Sequence, residues 1–172
     1  MGHIKTGHIK YACDVGAPPE VAFTYTDNHR FVPHWMFGIS AFEPAGESSH
    51  GPGTRYNARV GVGPWHRTME CEITEYRPNV VIGYSMRRRR SRRVTAEPPA
   101  ALATLTLRFD PLGYGRSVLT SEADYRRGTG LPARLATRAI ELIIRTMMHR
   151  SESRLRREIE QFHGANTVGR LA

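Results

Sequence analysis

Arg55-Tyr56-Asn57-Ala58-Arg59-Val60-Gly61-Val62-Gly63-Pro64-Trp65-His66-Arg67-Thr68-Met69-Glu70-Cys71-Glu72-Ile73-Thr74 is the stretch whose reading decides the fold. Tyr56, Ala58, Val60 and Val62 alternate with Arg55, Asn57, Arg59 and Gly61. Beyond the tight connection Gly63-Pro64, Trp65, Arg67, Met69, Cys71 and Ile73 alternate with His66, Thr68, Glu70, Glu72 and Thr74. A period of two sends successive side chains to opposite faces of an extended chain, so both segments read as two-faced strands joined back to back.

The same pattern spreads outward. Ile39–Glu43 precedes it as a strand, closed by the turn-rich Pro44–Gly53. Arg77-Pro78-Asn79 marks the next turn, and Val80–Met86 the next strand. Leu105, Leu107 and Phe109 alternate with Thr104, Thr106 and Arg108, Asp110-Pro111-Leu112-Gly113 carries a hairpin signal, and Val118–Tyr125 returns. Near the N-terminus Ile9, Tyr11, Cys13 and Val15 alternate with Lys10, Ala12 and Asp14. Gly16-Ala17-Pro18-Pro19 stops that strand, and a proline suits the opening of a helix, where its missing N–H costs nothing. A short helical segment covers Val21–Tyr25. A second covers Asp27–Trp35, with Asp27 as its cap and Phe31 and Trp35 on one face. Strands with short connections and no helices between them imply an antiparallel meander, not βαβ units.

The period changes after Gly128. Pro132 suits a first helical turn and Gly164 the position just past an end, which predicts a helix over about 32 residues and roughly 48 Å. Ala136, Ile140, Ile143, Met147, Leu155, Ile159 and Phe162 form one apolar stripe. The stripe is broader in the first half of the helix and the second half is richly charged, so the first half is expected against the sheet and the rest partly solvated. Residues 1–164 read as one domain of class α+β and residues 165–172 as a loose tail.

A chain of 172 residues has room for a real core, and 40% hydrophobic with 24% charged residues is an ordinary soluble composition. No apolar run approaches a membrane span, and Met1–Lys10 lacks the apolar stretch of a secretory leader, so a cytoplasmic location is expected. Cys13 and Cys71 lack metal-ligand spacing; buried free thiols are the plain reading, a disulfide the alternative. The net charge of +9 is concentrated in Arg87, Arg88, Arg89, Arg90, Arg92 and Arg93 and in the arginines of the last helix. Such a run is ordinarily a solvated loop. The alternative is an anionic partner, nucleic acid or a membrane surface, although the run lacks the interleaved aromatics that stack on bases.

The segment Ala17-Pro18-Pro19-Glu20-Val21-Ala22-Phe23, followed by Asp27, Phe31, Pro33 and Trp35, resembles the opening of the START-like (SRPBCC) superfamily, closest in style to its polyketide cyclase/dehydrase branch. Gly51-Pro52-Gly53-Thr54-Arg55-Tyr56 is similar to that branch's turn into its third strand, and Ile73-Thr74-Glu75-Tyr76-Arg77-Pro78 to its fourth-strand ending. The likeness spans about residues 8 to 163. It implies a helix-grip fold, a curved antiparallel sheet wrapped around a long C-terminal helix with two short helices after the first strand, and a cavity between sheet and helix for lipids, hormones or polyketides. The Arg87–Arg93 run departs from the pattern.

A curved sheet leaves gaps against a straight helix, to be filled by large side chains or by a guest. The positions expected to face that space are Tyr11, Trp35, Tyr56, Met69, Tyr84, Met86, Leu107, Ser121, Tyr125, Ile140, Ile143 and Met147. Tyrosine and serine hydroxyls would orient a ligand, and methionine adapts to irregular shapes. A bulge in any strand would flip its assignment. His34, beside Trp35 at the expected mouth, is the one candidate general base. Glu70, Glu72, Glu122 and Asp124 are expected on the solvent face. No catalytic triad, phosphate-cradling glycine loop, metal-ligand cluster or cofactor motif stands out. The chain therefore reads as a binder or carrier of a hydrophobic small molecule. The alternatives are a polyketide cyclase or dehydratase using the same cavity, and a module binding an anionic partner. Exposed sheet edges leave a homodimer open.

Overall fold

Each two-faced segment becomes a strand because one row of its side chains leaves water while the other stays in it. The computed structural model describes residues 6–89, 101–126 and 131–169, with side chains except at 62, 131–137, 139–140 and 166–169. In chain order the elements are β1 (Thr6–Val15), α1 (Pro19–Asp27), a 3₁₀ turn (His29–Phe31), α2 (Val32–Trp35), β2 (Ile39–Pro44), β3 (Arg55–Val62), β4 (Trp65–Arg77), β5 (Val81–Arg88), β6 (Ala103–Gly113), β7 (Arg116–Arg126) and α3 (Leu131–Gly169). The strands form one antiparallel sheet in the order β1-β7-β6-β5-β4-β3-β2. This is the α+β helix-grip architecture, a curved meander closed by its first strand and gripping a C-terminal helix. Among the described residues no helix is long and apolar enough to cross a membrane.

Register shows how the inward face is built. Leu107 stands opposite both Ile82 and Ser121, Leu105 opposite Tyr84 and Ala123, and Ala103 opposite Met86 and Tyr125. In β4 a bulge between Ile73 and Glu75 adds a residue, so Tyr76 follows Ile73 inward and donates to Asp27 Oδ2 at 2.8 Å. Asp27 therefore closes α1, and the cap of the following turn is its neighbour Asn28, whose Oδ1 accepts from the Arg30 N–H at 3.1 Å. The β6–β7 turn also lies further along than the proline suggests. Pro111 still pairs with Ser117, while Gly113, Tyr114 and Gly115 supply the positive φ values of 91°, 52° and 71° that the reversal needs.

The core joins Val15, Phe23, Val32, Trp35, Phe42, Tyr56, Ile73, Tyr84, Phe109, Leu119, Leu155 and Ile159. Phe23 meets Phe109 edge-on at 5.9 Å, and Tyr25 stacks on Phe31 at 4.6 Å. Among the described residues of α3, burial runs opposite to the expectation. Ser151, Glu152, Leu155 and Ile159 are buried, whereas Leu142 and Ile143 are exposed. A narrow i, i+4 row fits deeply between β1 and the short helices, and polar ties hold it there. Tyr25 Oη donates to Glu158 Oε2 at 2.8 Å, and the Gly16 N–H to Glu160 Oε1 at 3.0 Å. In the first half, among the described residues, Ile144, Met147 and Met148 are only half-buried. The helix also continues to Gly169. Gly164 and Ala165 are exposed, no packing enforces a stop, and one glycine in a helix costs only about 1 kcal/mol.

Candidate functional site

A cavity of ≈170 Å³ opens between the β5–β7 half of the sheet, the end of α2 and the middle of α3. Its floor follows the ladder just described: Met86 from β5, Ala103, Leu105 and Leu107 from β6, and Ser121, Ala123 and Tyr125 from β7. Trp35, Met36 and Phe37 form one end, and Ile144, Met147, Met148, Ser151, Glu152 and Leu155 the roof. The wall is almost wholly carbon. Ala103, Thr104, Ile144, Met147 and Met148 are only half-buried and make a rim.

The two ends are pinned. The Phe37 N–H donates to Ser151 Oγ at 2.9 Å, tying the segment after α2 to the helix roof. Gly38, with φ 87°, lets the chain turn there, and a Cβ on it would stand 2.7 Å from Met147 Cε. Arg150 and Arg154 place their guanidinium carbons 5.0 and 5.1 Å from the centre of the Phe37 ring. The cavity mouth is thus edged with positive charge.

Of the positions expected from sequence, Trp35, Met86, Leu107, Ser121, Tyr125 and Met147 lie on this wall. Tyr11 instead meets the His149 ring edge-on at 6.1 Å. Tyr56 stacks on Phe42 at 4.4 Å and donates to the Ser49 carbonyl at 2.8 Å. Tyr84 is buried against Phe42, edge-on at 6.3 Å. Both tyrosines belong to the solid core under α1 and α2. Met69 sits on β4 opposite Ala58, beyond the cavity. Ile143 is 44% exposed, and the side chain of Ile140 lies outside the described residues. Trp65, on the inward phase of β4, is 81% exposed because the β3–β4 hairpin tip projects past the core. His34 is exposed on α2, its ring 6.0 Å from Phe31, and does not line the cavity.

Sequence reading missed eleven of the seventeen lining residues, Phe37, Ser151 and Glu152 among them. Glu152 escaped because a carboxylate in the charged half of a helix reads as solvated; its place in the Met148–Leu155 row was the available signal. It is 9% exposed, and its Oε1 has no hydrogen-bond partner among the described residues. The Cys13 thiol, hydrogen-bonded to Glu152, is pushed up to about 12 by burial and by that carboxylate. Burial likewise pushes Cys71 up to about 12. Both cysteines are unpaired, and at neutral pH both are inert thiols.

On the outer face, Lys10 meets Glu122 at 2.6 Å and His8 meets Asp124 at 2.9 Å. Glu72 is half-buried between Arg55 and Arg87, at 3.4 and 2.9 Å. Arg87 is therefore engaged in a structural ion pair, and Arg88 and Arg89 are exposed. Arg90, Arg92 and Arg93 lie outside the described residues. Among the described residues no group of three His, Cys, Asp or Glu side chains is placed to hold a metal ion.

A family model described as polyketide cyclase / dehydrase and lipid transport matches residues 6–160. No curated protein matches the chain. Among solved structures, the Zhui aromatase/cyclase from Streptomyces sp. R1128 superposes with a TM-score of 0.72 at 16% identity, covering 91% of this chain and 95% of its own. A norcoclaurine synthase point mutant from Thalictrum flavum gives 0.65 at 13% identity, covering 94% and 98%. The di-domain aromatase/cyclase StfQ of the steffimycin biosynthetic pathway gives 0.65 at 13%, over 94% of this chain and 52% of its own. At these identities the likeness is one of fold.

Proposed function

The chain belongs to the polyketide cyclase / dehydrase and lipid transport family, and from that membership and the cavity we propose that it binds a small hydrophobic molecule between β5–β7 and α3. The observation that carries this reading is the carbon-walled space of ≈170 Å³ between the sheet and α3. An apolar cavity of about 150 Å³ is large enough for a single aromatic ring and stays dry without one. A fused polyketide or a long-chain lipid would fit only with the first half of α3 moved outward. That half carries the exposed Leu142 and Ile143, and its Ile144, Met147 and Met148 are only half-buried.

The test is uptake of an apolar fluorescent probe by the wild type and by Met147→Trp. The backbone at Gly38 bars the larger ring on one side, so the indole must enter the cavity. Loss of uptake with the far-UV spectrum intact supports the site, and unchanged uptake contradicts it. A second reading, catalysis of a cyclase or dehydratase type, draws on the buried Glu152 carboxylate in the roof and on the family's description. The carbon wall and the exposed position of His34 favour binding over catalysis. Product formation from a poly-β-keto substrate, abolished by Glu152→Gln, would reverse that order.

A further inference from the structure

Two residues that line this one cavity each bury a polar atom that has no hydrogen-bond partner among the described residues: Glu152 Oε1 and Trp35 Nε1. Trp35 is 1% exposed and Glu152 9%. Buried donors and acceptors are nearly always paired, because an unmade bond leaves the full desolvation cost uncompensated. Two such atoms on residues around a single cavity are therefore unusual, and they are complementary, one accepting and one donating. They also lie on adjoining segments. The Phe37–Ser151 hydrogen bond of 2.9 Å ties the residue two after Trp35 to the residue just before Glu152.

Among the described residues no charged side chain pairs with either atom. Arg156, one turn along α3, bonds instead to Glu160 Oε1 at 3.1 Å. Packing alone would be served by phenylalanine at 35 and leucine at 152. Resting on the binding reading above, we propose that Glu152 and Trp35 are the polar anchors of the cavity and that its occupant is a neutral single-ring phenol. The phenolic O–H donates to Glu152 Oε1, and the phenolic oxygen accepts from Trp35 Nε1. The ring fills the carbon-walled space. A cationic guest is disfavoured by Arg150 and Arg154 over Phe37 at the mouth.

The experiment is calorimetric titration with p-cresol and with p-xylene, which has the same shape and no donor. Wild type should bind p-cresol more tightly, although water holds p-cresol better. Glu152→Leu should weaken p-cresol by about tenfold or more, the scale of a lost hydrogen bond to a carboxylate, and leave p-xylene unchanged or tighter. Trp35→Phe should weaken p-cresol by a few-fold only. Glu152→Gln keeps an acceptor oxygen and should retain most of the affinity, which guards against a Leu variant that fails to fold. If p-xylene binds but p-cresol binds no tighter, or if the variants shift both probes alike, the anchors are overturned and the cavity reading stands. If neither probe binds, both fall.

Discussion

Leu155→Ala removes a side chain that is 1% exposed and sits where the core meets the cavity roof. Three carbons leave the interior, worth about 2.4 kcal/mol at roughly 0.8 per methylene. The site borders existing void on one side, so the neighbours have little to collapse onto. If about half of the vacated volume persists, the cavity term adds about 1 kcal/mol. The expected loss is thus about 3.5 kcal/mol, read as a fall in Tm of about 10 °C for a chain of this size. The assay is thermal and urea denaturation followed by circular dichroism, with and without p-xylene. A guest bound only to the folded form at about 100 times its Kd returns about 2.7 kcal/mol. The variant, with its enlarged void, should recover at least as much as the wild type. A loss below about 1 kcal/mol, or a variant indifferent to the guest, would refute the placement of Leu155 between core and cavity.

Other expectations follow from single contacts. A Cβ on Gly7 would lie 2.2 Å from Tyr125 Cζ, so Gly7→Ala should push that ring into the cavity, destabilise by about 1–3 kcal/mol and lower probe affinity in fluorescence titration. Arg87→Ala should cost about 1 kcal/mol by breaking the half-buried pair with Glu72, whereas Arg88→Ala and Arg89→Ala should stay within about 0.5; chemical denaturation separates them. The Cys71 thiol rises from 9.0 to about 12 on folding. The folded state therefore holds its proton where the unfolded chain has lost it, so the stabilisation is complete below pH 9.0 and declines toward 12, at about 1.4 kcal/mol per pH unit. Denaturation midpoints measured over that range should fall less steeply for Cys71→Ala.

The fold was legible where alternation and helical periodicity coincided with turn chemistry, as in Tyr56–Ile73 and in Pro18-Pro19. What sequence could not show was how far α3 lies from the sheet. Apolar width along a helix measures capacity for burial, and the groove beneath it decides whether that capacity is used. Leu142 is exposed and Leu155 buried for this reason. Half of the expected lining reached the cavity, because inward phase says which face a residue occupies and not where along a curved sheet the gap opens. Tyr56 and Tyr84 share that face with Leu107, yet lie under the short helices. Glu152 was hidden by its neighbourhood, since the arginines flanking it in sequence are exposed while its own position on the helix turns inward.

A crystal held under xenon gives the most direct reading of the interior. An ordered xenon atom is expected among Leu107, Tyr125, Met147 and Leu155, displaced when p-xylene is soaked in. Side chains filling that volume, with xenon absent from it, would contradict the account at its root.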